Sequence, residues 1–147
     1  MKFWQKIINL MKAKYMNGSV KFFKLWFPAI VWMAVIFFFS SIPDLNSGLK
    51  YDFVLRKIAH IAEYFILTFF LYRAFKGTFD MKAACLFVWL AALSFFYAIS
   101  DEIHQSFVPG RACAIGDVLI DSVGILGFCA VVKLSGGWSK TSCRLIK

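Results

Sequence analysis

Four apolar stretches recur along this chain, over residues 25–42, 58–75, 83–100 and 115–134. Crossing a hydrocarbon core of about 30 Å takes roughly 20 predominantly apolar residues in a helix. Backbone polar groups inside lipid must be satisfied within their own segment, which leaves helix as the form for runs of this length. The pattern predicts an all-α, polytopic membrane protein, a bundle of four transmembrane helices with short connections. Pro28 falls near the start of the first run, where a missing N–H does little harm. Asn46-Ser47-Gly48 and Gly77-Thr78 mark polar turns after the first two runs.

Ahead of the first run, lysines alternate with apolar side chains. Phe3, Ile7, Leu10 and Met11 fall at i, i+4, i+7 and i+8, so they share one helix face with lysines beside it. That is the pattern of a basic amphipathic helix resting on an anionic leaflet. A cleaved signal peptide fits poorly, because lysines interrupt its apolar part and no small-residue cleavage site follows. The organisation read from the pattern is a basic cytoplasmic arm (1–24), a membrane domain (25–134) and a short basic cytoplasmic tail (135–147).

The apolar runs are not clean, and their impurities are clustered. The second run opens with Lys57, His60, Glu63 and Tyr64 in its first two turns. At 100° per residue Lys57, His60 and Tyr64 lie within about 60° of one another, and Glu63 lies at the edge of that face. The third run passes straight into Asp101, Glu102, His104 and Gln105, and Asp101, His104 and Gln105 share a face if the helix continues through them. Pro109-Gly110 then turns the chain, which brings Arg111 back over the opening. Asp117, Asp121 and Gly124 share a face of the fourth run, where Gly124 and Gly127 allow close approach of a neighbouring helix. A charged group at membrane depth costs roughly 2.5–3.5 kcal/mol on insertion scales. A chain that keeps so many in one place is using them.

Composition agrees with the pattern. The chain is 61% hydrophobic, against about 45–50% for a soluble domain. Its 147 residues suffice for four spans and leave little for a separate soluble domain. The net charge of +9 fits the positive-inside rule better than a nucleic-acid partner, which would need a basic face on a soluble fold. With a cytoplasmic N-terminus and four spans, thirteen Lys and Arg residues lie inside and four (Lys50, Arg56, Lys57, Arg111) outside. Both termini are therefore expected in the cytoplasm and the polar cluster on the extracytoplasmic side. Cys85, Cys113, Cys129 and Cys143 show no paired spacing and read as structural.

Arg56-Lys57-Ile58-Ala59-His60 followed by Glu63-Tyr64 resembles the second-span motif of the VanZ-like membrane protein family. Asp101-Glu102-Ile103-His104-Gln105, Pro109-Gly110-Arg111 and Asp117 resemble that family's main signature, and Ser40-Ser41-Ile42-Pro43 its serine and proline after the first span. The likeness covers roughly residues 25–132. One departure stands out: Asp121 occupies a position where the family usually has asparagine, which adds a carboxylate to the site. The resemblance implies an integral membrane protein of the cell envelope, associated in its best-known members with low-level resistance to the glycopeptide antibiotic teicoplanin. It implies no reaction.

Three readings of the cluster follow. In the first, Lys57 and Arg111 bind the anionic headgroup of a membrane phospholipid or cell-wall precursor, with Arg suited to bidentate phosphate contacts. Glu63, Tyr64, Gln105, Asp117 and Asp121 then orient those cations and meet sugar or amine groups. In the second, the site is a membrane-embedded hydrolase or phosphatase-type enzyme acting on a lipid phosphate. His60 or His104 is its base or nucleophile, and Asp101 or Glu102 the partner. In the third, the groups form a structural polar network that fixes helix register. No cofactor is expected, and no metal, since neither H-x-x-x-H nor H-E-x-x-H spacing occurs. Membrane lipids are the expected partners, and oligomeric state is left open.

Overall fold

The computed structural model describes residues 18–43, 51–111 and 115–135. Within them the chain forms four α-helices and no strand: α1 (Gly18–Ser40), α2 (Asp52–Thr78), α3 (Ala83–Gln105) and α4 (Ile115–Leu134). The amphipathic helix expected over 1–24 lies outside the described residues up to position 17, as does the basic tail beyond 135.

The helices match the four apolar runs with instructive differences. α1 starts at Gly18, well inside the expected arm, so Lys21 and Lys24 belong to it and Pro28 is interior to the helix. Pro28 cannot form the i→i−4 bond there, yet the helix continues past it. α2 begins six residues before its apolar run and ends three after it, because no proline or glycine interrupts the chain between Tyr51 and Gly77. α3 continues through Asp101–Gln105, which places Asp101, Glu102 and Gln105 on its buried face. α1 and α3 are long and apolar enough to cross a membrane.

Consecutive helices run antiparallel. Trp26 on α1 packs on Phe75 and donates Nε1–H to Thr78 Oγ1 at 3.0 Å near the end of α2. Farther along α1, Trp32 donates to the Glu63 carbonyl at 2.9 Å. α2 touches all three other helices, whereas α1 and α4 do not meet among the described residues. Its interior face carries Tyr64, Leu67, Thr68 and Leu71, all buried. Thr68 gives its hydroxyl hydrogen to the Tyr64 carbonyl at 2.7 Å, so Ser94 of α3 is the donor in the 3.1 Å bond between the two hydroxyls. Tyr97 Oη donates to the Met33 carbonyl at 2.6 Å and ties α3 to α1.

Gly124 makes the α2–α4 contact possible. A Cβ there would lie inside the envelope of the Ile61 carbonyl oxygen and only 3.1 Å from the Phe65 nitrogen. Gly127 is different: its nearest neighbour would be Phe65 Cδ2 at 3.9 Å, an ordinary contact. One of the two glycines is required for close approach, and the other is not.

Large apolar side chains are turned outward along all four helices, among them Phe27, Phe38, Val88, Phe96, Leu119 and Leu126. Patches that extensive on a soluble monomer would be a liability, and a bilayer removes the difficulty. The buried set, by contrast, includes Ser40, Thr68, Ser94, Asp101, Glu102, Gln105 and Asp121. The bundle is apolar on its outside and carries a set of polar groups within an otherwise apolar core. Antiparallel packing gathers Lys24, Arg73, Lys76, Lys82 and Lys133 at one end and nearly all the candidate site residues at the other.

Candidate functional site

α2 and α4 run parallel, and the Gly124–Ile61 contact fixes their register. It sets the turn 57–60 against the turn 117–121. Lys57 Nζ donates to Asp117 Oδ1 at 3.0 Å, with 31% of each side chain exposed. One turn deeper, His60 Nδ1 lies 3.1 Å from Asp121 Oδ1, and Asp121 is fully buried. An ionised carboxylate only accepts, so Nδ1 carries the hydrogen and Nε2 is the nitrogen left for other work.

On the other side, α1 and α3 close over a second network. Ser40 Oγ donates to Asp101 Oδ2 at 2.8 Å, and Gln105 Nε2 donates to the same oxygen at 2.9 Å and to Ser40 Oγ at 3.2 Å. Gln105 Oε1 in turn accepts from Arg111 Nη1 at 3.3 Å. Arg111 reaches this point through a type II turn: the Arg111 N–H donates to the Val108 carbonyl at 3.1 Å and Gly110 has φ 79°. Pro109 and Gly110 are the residues such a turn favours, which is why the sequence signalled it.

Arg111 is not swinging freely over the opening. Nε donates to the Ile42 carbonyl at 3.2 Å and Nη2 to the Phe39 carbonyl at 3.0 Å. These acceptors lie at the C-terminus of α1, where helical carbonyls lack intrahelical partners, so the guanidinium caps that helix from a distant part of the chain. Three N–H groups are thereby committed. One hydrogen remains on each terminal nitrogen, the pair that a phosphate or carboxylate engages bidentately.

Two adjoining cavities lie between these networks. The larger, about 130 Å³, is lined by Arg56, Lys57, His60, Gln105, Gly110, Arg111 and Asp117. The smaller, about 50 Å³, is lined by Phe39, Ser40, Arg56, Ala59, His60, Glu63 and Arg111. They share Arg56, His60 and Arg111, and so form one cleft with a broad and a narrow part. A water needs roughly 10–15 Å³ of such space, so the broad part admits a small polar headgroup and the narrow part a few waters.

The eleven expected site residues divide into three groups. Lys57, His60, Glu63, Gln105, Arg111 and Asp117 line the cleft. Tyr64, Asp101, Glu102 and Asp121 are buried beneath it, and the Tyr64 hydroxyl, Asp101 Oδ1 and Asp121 Oδ2 have no hydrogen-bond partner. His104 stands apart, stacked on Phe37 with ring centroids 4.1 Å apart. Ser41 gives its hydrogen to the Phe37 carbonyl at 2.7 Å, so His104 Nε2 is the donor in its 2.9 Å bond to Ser41 Oγ. The hydrogen bonds of the two histidines do not go to the expected Asp101: His60 bonds Asp121 and His104 bonds Ser41, while Asp101 bonds Ser40 and Gln105.

Two contributors escaped the sequence reading. Ser40 is the bridge between α1 and Asp101, and Arg56 lines both cavities. Each was visible only as part of a motif: a serine pair closing an apolar run, and a basic residue beside Lys57. Among the described residues no group of three or more His, Cys, Asp and Glu side chains is placed to hold a metal ion.

Comparison with known proteins follows the same outline. An uncharacterized membrane protein of Bacillus subtilis (strain 168), YwnJ, is 36% identical over 104 residues, which cover 65% of this chain and 67% of that protein. No solved structure matches. The family model for VanZ/LLP1 matches residues 23–135, all of the four-helix bundle but the first five residues of α1, and its cleft. The chain belongs to the VanZ/LLP1 family of membrane proteins.

Proposed function

We propose that the chain is a four-pass protein of the cell membrane whose cleft binds the phosphate headgroup of a membrane lipid or lipid-linked cell-wall precursor. One observation carries this reading. Arg56, Lys57 and Arg111 line a cavity of about 130 Å³ in which Asp117 is the single carboxylate among the lining residues. Lys57 and Arg111 are half-buried beside the exposed Arg56, and this local excess of positive charge favours an anionic group. The spare guanidinium hydrogens of Arg111 match a phosphate's oxygens. Gln105 and Asp117 supply polar groups for the sugar or amine that such headgroups carry.

In this reading both termini are cytoplasmic and the cleft opens at the outer leaflet, since the lysine-rich ends stay inside. Occupying outer-leaflet headgroups changes the surface that a lipoglycopeptide meets, which is how such a protein would lower susceptibility to teicoplanin. Sidedness is directly measurable. With the native cysteines replaced by serine, Ser106→Cys at the cleft end should react with a membrane-impermeant maleimide in intact cells. Lys82→Cys at the opposite end should react only after the cells are broken. The reverse labelling would put the cleft in the cytoplasm and exclude outer-leaflet precursors as its ligands.

A further inference from the structure

We propose that the cleft hydrolyses a lipid-linked diphosphate, with His60 as general base; the proposal rests on the phosphate-binding reading above. The two parts of the cleft differ in charge. The broad part presents three cations and suits the phosphoryl groups. The narrow part presents Ser40, Glu63 and His60 in about 50 Å³ and suits an attacking water. His60 borders both parts, as a base between nucleophile and electrophile must.

Asp121 completes the arrangement. Its buried carboxylate holds Nδ1–H at 3.1 Å, which fixes the ring orientation and leaves Nε2 basic. A buried carboxylate behind a histidine also stabilises the imidazolium that forms when Nε2 takes a proton. Asp121 is thus a positioning residue, and His60 the catalytic one.

The step balances as follows. The water oxygen forms a bond to the terminal phosphorus, and Nε2 of His60 takes one water proton. The bridging P–O bond breaks, and its electron pair leaves with the lipid-bound phosphate. The proton on His60 then passes to solvent. Inorganic phosphate and a lipid monophosphate are the products, and water is the sole co-reactant. Phosphoryl transfer depends mainly on positioning and on neutralising charge, which Arg56, Lys57 and Arg111 supply. The broad part offers no uncommitted acid to protonate an alkoxide leaving group, since Asp117 is paired with Lys57. A phosphate leaving group needs none. That selects a diphosphate over a phosphate monoester.

The test uses the full chain in phosphatidylcholine vesicles, with farnesyl diphosphate as the lipid-linked probe and inorganic pyrophosphate as the soluble one. Wild-type protein is expected to release phosphate from farnesyl diphosphate faster than from pyrophosphate. His60→Gln keeps a donor for Asp121 but supplies no base, and should lower the rate by about 10²–10⁴-fold. It should still bind the non-hydrolysable methylene-bridged analogue. Asp121→Asn should lower kcat with KM unchanged, a split that loss of folding would not produce. Analogue binding without phosphate release by the wild type overturns the hydrolysis and leaves the binding reading standing. Absence of analogue binding overturns both. Undiminished release by His60→Gln removes His60 from the chemistry, and faster release from pyrophosphate overturns the lipid-linked substrate.

Discussion

Replacing Gly124 by valine should separate α2 from α4 and dismantle the cleft. The valine Cβ would have to occupy space held by the Ile61 carbonyl and the Phe65 amide. Both are backbone atoms, so no side-chain rotation relieves the clash, and one helix must move. Overpacking of this kind typically costs about 1–3 kcal/mol, and an unyielding backbone puts this site at the upper end. A loss near 3 kcal/mol corresponds to roughly 10 °C or more in a domain of this size. The movement also pulls Lys57 from Asp117 and His60 from Asp121, because those pairs depend on the same register. Thermal unfolding of the purified variant in detergent measures the effect. Gly127→Ala is the control: its Cβ would meet only Phe65 Cδ2 at 3.9 Å, so stability should change by no more than about 1 kcal/mol.

Asp101→Ala is expected to loosen one of the three holds on Arg111 as well as destabilise the bundle. Asp101 Oδ2 accepts from Ser40 and Gln105, both buried. Hydrogen bonds to a charged group contribute about 1.5–3 kcal/mol each. Part of that is offset because the desolvated carboxylate, with its bare Oδ1, disappears too. A net loss of about 2 kcal/mol follows from these opposing effects. The more telling consequence is local. Gln105 holds Arg111 Nη1, so a Gln105 freed from Asp101 leaves the guanidinium tied only to the Ile42 and Phe39 carbonyls and less firmly aimed at the cleft. Phosphate-headgroup binding should fall about tenfold in Asp101→Ala and remain close to normal in Asp101→Asn, which keeps an oxygen acceptor. Equal losses in the two variants would mean that charge at Asp101, not its hold on Gln105, controls binding.

Much of this was legible in the sequence, and what was not has a common cause. Apolar periodicity located all four helices, α4 to the residue, because runs of this length can only be helices. Spacing of three and four residues placed Lys57 with His60, and Asp117 with Asp121, on single faces. Pro109-Gly110 announced the type II turn that returns Arg111. What stayed hidden depends on register between helices. Which carboxylate His60 meets is decided by the depth at which Gly124 seats against Ile61, and no local pattern encodes that. His104 shares a helical face with Asp101 in sequence, yet its ring packs outward on Phe37. Ser40 gains its role only because α1 ends level with Asp101. Two helices begin ahead of their apolar runs, at Gly18 and Asp52, because the polar residues in between are compatible with helix and apolarity alone does not mark them.

The most direct measurement is the retention of phosphate-bearing lipids by the purified full chain, read by native mass spectrometry. The net charge of +9 alone attracts anionic lipid, so two sets of variants are compared. Neutralising the cleft cations in Arg56→Gln, Lys57→Gln and Arg111→Gln should each weaken binding of a lipid phosphate about tenfold, roughly 1.4 kcal/mol. Neutralising Arg73, Lys76 and Lys82 at the opposite end should leave that binding within about twofold, as expected for exposed and screened charges. Loss of binding in the second set, with the first unchanged, would contradict a phosphate site in the cleft and leave only a lysine-coated membrane surface.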